Sequence, residues 1–240
     1  MAPVPAVPTR QLVQRADGSL WAWTERDGTP GHLEVRIDLP VGHESVNVVI
    51  PWSETRFQYT SKHQARPAHG VLEVGERIVR FGDRAVDGAE RDEPEAWGVL
   101  DVGRGRWPYS TRWNWGGGAG RSAEGSVVGV QFGAKWTEGT GHTENGVIVD
   151  GRLSKIGAEL EWTYDWDQPL QPWRVRHPDG SLDLTLAPVH DRHSATQALL
   201  LATEVHQVFG RWSGHVTTDD GAVHHLDGAQ GFAEESRSRW

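Results

Sequence analysis

Between residues 126 and 187 apolar side chains return at every second position. Val128, Val130, Phe132, Ala134 and Trp136 fall on one side of an extended chain, with Gln131 and Lys135 on the other. Leu160, Trp162, Tyr164 and Trp166 repeat the pattern against Glu161, Thr163 and Asp165, and Leu182, Leu184 and Leu186 repeat it after Pro178-Asp179-Gly180. Strand side chains alternate between faces, so each segment offers one face to a core and a wetter one to its surroundings. A period of two rather than three or four predicts antiparallel β structure. Asp-Gly pairs at 17–18, 27–28, 150–151, 179–180 and 220–221 stand between these segments. Both residues tolerate positive φ, so the pairs predict hairpin turns. In Ser194 to Phe209, SATQALLLATEVHQVF, the apolar spacing also suits a helix.

These elements predict an all-β fold of two antiparallel β-barrel or β-sandwich units, the first one short. The expected organisation is a disordered, proline-rich tail over residues 1–19, an N-terminal β unit over 20–94 and a larger β-barrel over 95–240. The boundary falls in Gly82 to Pro94, where GDRAVDGAERDEP has few apolar residues. No repeat of fixed period is present, which disfavours a propeller or solenoid. The chain of 240 residues has no cysteine, so disulfides, thiolate metal sites and a cysteine nucleophile are excluded together. A net charge of −9 provides no field to collect phosphates, which argues against nucleic acid as a partner. The opening MAPVPAVPTR has neither a charged n-region nor an apolar h-region, and the aliphatic run Ala198 to Ala202 is far shorter than the roughly 18 residues of a membrane span. The expectation is a soluble, cytoplasmic monomer or homodimer without a membrane span.

Candidate chemistry concentrates in three segments. In RGRWPYSTRWNWGGGAGR, Arg104 to Arg121, an extended chain puts Trp107, Tyr109, Thr111, Trp113 and Trp115 on one face and Arg104, Arg106, Arg112 and Asn114 on the other. Pro108 interrupts the ladder there, so the strand bends or lies at an edge. Such a face suits either a solid core or a ligand cavity; each buried indole N–H needs a partner, which favours a partly open cavity for a chain with 13 tryptophans. In Lys135 to Leu153 a polar loop leads to Glu144 and Asn145, which suit an acid or base beside a group that orients a carbonyl or hydroxyl; Glu144 equally suits loop amides or an arginine partner. Leu160 to Val175 adds Trp162, Tyr164, Trp173 and Arg174, an aromatic wall beside carboxylates whose pKa values burial would raise; a surface aromatic corner suits the same residues equally. His190-Asp191-Arg192-His193 and His224-His225 resemble metal ligands, but strand neighbours point apart, and no metal is expected. Ser213 lacks the preceding glycine of a nucleophile elbow, and Gly116 to Gly120 opens no helix, so neither that chemistry nor a dinucleotide cofactor is expected.

The succession NVVIPWSETRFQYTSKHQARPAHG, WGVLDVGRGRWPYSTRWNWGGGAG, GVQFGAKWTEGTGHTENG, PWRV, HQVFGRWSG and GFAEESRSRW resembles the bacterial family called domain of unknown function 2804, over about Val46 to Trp240. That family is more distantly similar to calycin-like, two-barrel proteins that include carotenoid hydratases and cofactor-free cyclases. The resemblance implies two lipocalin-like units with a ligand cavity, the first short here, and Ser194 to Phe209 largely as strand. By motif position its signature residues are Asp101, Arg104, Arg106, Trp107, Tyr109, Arg112, Trp113, Asn114 and Trp115, then Lys135, Glu144, Asn145, Trp173, Arg174 and Glu235.

The expected function is a cofactor-independent enzyme acting on an apolar or polycyclic small molecule by cyclisation, isomerisation or hydration. Glu144, Asp101, Tyr109 and Asn145 are the candidate catalytic residues. Trp107, Arg112, Trp113, Asn114, Trp115, Lys135, Trp162, Tyr164, Trp173 and Arg174 are the candidates for substrate binding. Two alternatives stand beside it: a non-catalytic binding protein for a hydrophobic small molecule, and a carbohydrate-active enzyme using paired carboxylates.

Overall fold

The computed structural model describes residues 11–14, 19–26, 29–82, 94–198 and 201–239, the first two stretches as backbone alone. Of the proposed tail at residues 1–19, residues 1–10 and 15–18 lie outside the described residues and residues 11–14 are extended; the turns at 17–18 and 27–28 and residues 83–93 of the proposed boundary also lie outside them. Sixteen strands and no helix are present among the described residues. They are β1 (Gln11–Gln14), β2 (Ser19–Arg26), β3 (Thr29–Ile37), β4 (Val46–Ser53), β5 (Arg56–Val74), β6 (Arg77–Phe81), β7 (Trp97–Arg106) and β8 (Ser110–Arg121). There follow β9 (Val127–Ala134), β10 (Asn145–Val149), β11 (Arg152–Ile156), β12 (Glu161–Thr163), β13 (Trp173–Arg176), β14 (Leu182–Ala198), β15 (Leu201–Thr217) and β16 (Val223–Arg239).

Contacts divide the chain into two units, residues 1–41 with 66–98 and residues 42–65 with 99–240. In the first, β1, β2, β3, the second half of β5 and β6 pair in that order, all antiparallel. In the second, β4 and β7 pair with the first half of β5, and nine strands form a sheet in the order β11-β10-β9-β8-β16-β15-β14-β13-β12.

The nine-stranded sheet encloses the main core. Val128, Val130 and Phe132 of β9, Val175 of β13 and Leu182, Leu184 and Leu186 of β14 join one buried cluster with Trp173 and Trp212. Strands from both ends of the order contribute, so the sheet is curled into a half-barrel with its apolar face inward. This is the alternation read from the sequence, turned into a concave surface. The two largest core side chains spend their N–H groups on backbone carbonyls: Trp212 Nε1 donates to Gly117 O at 3.1 Å and Trp173 Nε1 to Pro169 O at 2.9 Å. Asp150-Gly151, Asp179-Gly180 and Asp220-Gly221 all turn between strands, with φ of 46° and 83° at the first pair and 82° and 83° at Gly180 and Gly221.

Two segments depart from the simplest reading of the sequence. Ser194 to Phe209 is strand wherever described, because β15 is paired on both sides, with β14 and β16, and that pairing outweighs a local spacing that also suits a helix. The run from Leu160 to Trp166 is extended only at Glu161–Thr163. Thr163 pairs with Arg174, and two positions further the ladder would meet Pro172, which has no N–H to donate.

Candidate functional site

The tryptophan-rich segment is not one strand. Its ladder stops at Arg106 and resumes at Ser110, with Trp107 and Pro108 outside both strands. Within β8 the register against β16 sets Trp113 opposite Ser236, Asn114 opposite Glu235 and Trp115 opposite Glu234. Successive residues therefore feed two different faces. The glycines after Trp115 are places of close approach: a Cβ on Gly116 or Gly118 would meet Trp162 or Trp212, and one on Gly117 would lie 2.4 Å from Gln64 and against Phe232.

Trp113 and Trp115 line a cavity of about 250 Å³ with Trp107, Trp136, Asp101, Glu144, Glu234, Lys62, Thr60 and Gln58. Trp107 centres the indoles, 5.6 Å from Trp113, 5.5 Å from Trp136 and 5.1 Å from Trp52 between ring centroids. Lys62 Nζ lies 4.0 Å from the centroid of Trp115, a cation–π contact. Polar neighbours satisfy the indole N–H groups. Trp113 donates to Glu234 Oε1 at 2.8 Å, Trp115 to Gln131 at 3.0 Å and Trp136 to Glu144 Oε1 at 2.7 Å.

Glu144 is the more deeply buried of two acids in this cavity, with its side chain 2% exposed. Burial pushes its pKa up to about 7, against the attraction of Lys62 and the hydrogen bond from Trp136. Its Oε2 accepts no hydrogen bond among the described residues, and Lys62 Nζ stands 3.7 Å away. The same ammonium pairs with Asp101 Oδ2 at 2.8 Å, and Thr60 donates to Asp101 Oδ1. Glu144 fits here because position 133 is glycine: a Cβ there would lie 2.2 Å from Glu144 Oε1. Glu234 has a raised pKa too, burial outweighing the Trp113 hydrogen bond.

The opposite face of β8 opens a second cavity, of about 380 Å³. Arg112, Asn114, Lys135, Trp162 and Tyr164 line it together with Trp166, Glu235 and Arg237. Glu235 is fully buried and accepts from Arg112, from Tyr164, from Arg237 at 2.6 Å and from Lys135 at 2.9 Å. Burial pushes its pKa up, but these donors together outweigh it and hold it at about 2. Tyr164 is stacked on Trp173 at 3.9 Å and receives Asn114 Nδ2 at 3.0 Å; burial, then Glu235, raises its pKa. Lys135 reaches this cluster through strained backbone. Its φ is 72°, and Trp136 N–H bonds back to Ala134 O at 2.9 Å, a three-residue turn that β-strand geometry does not supply. The turn sends Lys135 to the Tyr164 side and Trp136 to the Glu144 side.

Of the residues singled out from the sequence, Trp107, Trp113, Trp115, Asp101 and Glu144 meet in the first cavity. Arg112, Asn114, Lys135, Trp162 and Tyr164 meet in the second. Asn145 is buried behind Glu144 and uses its amide on the backbone, accepting from Gly133 N–H at 2.7 Å and donating to Ala158 O at 3.1 Å. Trp173 belongs to the core, Tyr109 is half exposed and lines neither cavity, and Arg174 pairs with Asp183 at the surface. Residue-by-residue reading missed Lys62, Glu234 and, outside the family resemblance, Glu235. Composition held a signal: against 21 arginines the chain has three lysines, 62, 135 and 155. Lys62 contacts Glu144, Lys135 contacts Tyr164 and Glu235, and Lys155 donates to the carbonyls of Thr143 and Asn145 on either side of Glu144.

The family model for a domain of unknown function, DUF2804, matches residues 15–240. The chain is a member of the DUF2804 family. No curated protein matches its sequence. Among solved structures it is similar to kievitone hydratase from Nectria haematococca, with a TM-score of 0.52 and 10% identity, over 98% of this chain and 69% of that one. At this identity the likeness establishes the fold, an all-β, calycin-like architecture.

Proposed function

We propose that this DUF2804 member is a cofactor-independent enzyme that adds water across a carbon–carbon double bond of an apolar small molecule, or eliminates water from an alcohol to form one, with Glu144 as the acid. The observation that carries this reading is a carboxyl group 2% exposed, poised near neutrality, with one oxygen that accepts no hydrogen bond from the described residues, in an indole-walled cavity. A carrier needs the indoles but gains nothing from a buried acid, which costs stability whenever it ionises.

In the hydration direction protonated Glu144 gives its proton to one alkene carbon. The positive charge developing on the other is stabilised by the faces of Trp107 and Trp113, at about 1–2 kcal/mol per desolvated ring. Water adds there and loses a proton to Asp101, whose partly exposed carboxylate lies across Lys62 from Glu144. The 250 Å³ cavity is below the roughly 300–1,000 Å³ of drug-sized ligand sites, so one ring or one short alkenyl segment enters it. The remainder of a larger, polycyclic substrate fits the open 480 Å³ groove beyond Trp136, between Trp52, Arg112 and Lys135.

The test is incubation with a set of phenolic and isoprenoid alkenes in ¹⁸O-water, followed by mass spectrometry. The expected product carries one added solvent hydrogen and one ¹⁸O-hydroxyl. Glu144→Gln is expected to keep ligand affinity and lose about a hundredfold in rate. Binding without product in the wild type, unchanged in Glu144→Gln, would establish the carrier instead.

A further inference from the structure

The long strands β14, β15 and β16 continue the concave face beyond the apolar core, and the strip they carry there is titratable. The β14–β15 register slips between Pro188 and His190, so that the odd-numbered residues beyond it join the core face. Asp191 faces Val208, a core residue, His193 faces His206 directly, and Glu204 follows one alternation further along β15. The histidines that point apart from their sequence neighbours thus meet a histidine from the adjacent strand. Their rings are parallel, with centroids 4.2 Å apart, so both can ligate one ion only once the exposed His193 ring turns out of the stack and its nitrogen lone pair converges with that of His206.

We infer that His193, His206 and Glu204 form a binding site for one divalent transition-metal ion of the zinc class. One donor atom from each lies within 4.8 Å of the others. His193 Nε2 is 3.1 Å from Glu204 Oε1, close to the about 3.4 Å between two donors on a tetrahedral ion with bonds near 2.0–2.1 Å. Asp191 Oδ2 is 2.7 Å from His206 Nδ1. It takes the N–H of that ring, fixes the tautomer and leaves Nε2 for a metal, the carboxylate–histidine–metal arrangement. Its other oxygen, Oδ1, is buried without a hydrogen-bond partner among the described residues. Trp166 packs edge-on against His206 and holds the ring from the other side. With neutral imidazoles the two carboxylates bring a charge of −2, which a dication neutralises. Arg237, the register partner of Glu204, directs its guanidinium to Glu235 and to the face of Trp166. Two imidazoles and one carboxylate leave coordination positions open, and since His193 and Glu204 are each more than 40% exposed, solvent reaches them. Trp166 is also a wall of the second cavity, so an ion here would add a Lewis acid at its rim.

The test is calorimetric titration of the full, tag-free chain with Zn²⁺, paired with the visible absorption of its Co²⁺ complex. One ion per chain is expected, with absorption of a tetrahedral or five-coordinate Co²⁺ site. His193→Ala and His206→Gln are each expected to weaken binding by more than about a hundredfold, and Asp191→Asn by about tenfold. His215→Ala/His225→Ala, which removes the other facing histidine pair, is expected to bind as the wild type does. Circular dichroism on each variant separates lost ligands from lost fold. No saturable binding to the wild type, or undiminished binding to folded His193→Ala and His206→Gln, overturns the assignment. The outcome is independent of the reaction proposed for Glu144.

Discussion

Glu235→Gln tests the electrostatics of the curled sheet with a magnitude set by the structure. Glu235 is fully buried, and Arg112, Arg237, Lys135 and Tyr164 converge on it. Its pKa falls from 4.5 in the unfolded chain to about 2 in the folded one. A depressed carboxylate pKa means that the unfolded state binds more protons, so the stability it provides is present above pH 4.5 and drains away as pH falls toward 2. A shift of this size amounts to about 3 kcal/mol at pH 7 and about 1.5 kcal/mol at pH 3. Glutamine keeps the shape and removes the charge. Urea unfolding followed by tryptophan fluorescence is therefore expected to show Glu235→Gln less stable by about 3 kcal/mol at pH 7 and by about half that at pH 3. The diagnostic quantity is the change between the two pH values, since any constant cost of the amide cancels. A loss equal at both would refute the assignment of Glu235 as a charge held by its donors.

Glu144→Gln is expected to show the opposite slope. A folded-state pKa of about 7 means that the native protein holds the extra proton between pH 4.5 and 7, so wild-type stability falls by about 3 kcal/mol across that window; the Tm of the variant should match the wild type at pH 4 and exceed it by several degrees at pH 8.5. Gly133→Ala puts a Cβ 2.2 Å from Glu144 Oε1, and is expected to cost about 1–3 kcal/mol and to move the emission of Trp136 as its hydrogen bond breaks. Tyr164→Phe removes a hydroxyl bonded to Glu235, Lys135 and Asn114 but keeps the stack on Trp173, so denaturant unfolding should give a loss of about 1–3 kcal/mol. Trp173→Ala empties a fully buried core position and should cost more, about 3–5 kcal/mol.

The parts of the fold legible in the sequence are those governed by neighbours along the chain. Alternation through Val128 to Ala134 and Leu182 to Leu186 specified the core face, and Asp-Gly pairs specified three described turns. What was not legible depends on register between distant strands. Parity separated the indoles of β8 from Arg112 and Asn114, but nothing local reveals that both faces of that strand line cavities, because the partners come from far along the chain. Lys62 reaches Glu144 from 82 positions earlier, and Glu235 meets Arg112 across 123. The slip between Pro188 and His190 changes which histidine faces inward, and alternation carried through it gives the wrong one. Tyr164 was named from the sequence, but its placement was not legible: β12 ends at Thr163, so its ring is placed by stacking on Trp173 rather than by the strand.

Glu144 as a dry, proton-holding acid is the centre of the functional reading, and its titration can be observed directly. Carbon-13 NMR of the glutamate side-chain carboxyl groups, with the Glu144 signal assigned by its loss in Glu144→Gln, gives the midpoint. A midpoint near 7 is the expected result; one near 4.5, the ordinary value of a solvated glutamate, would contradict the proposed chemistry at its source.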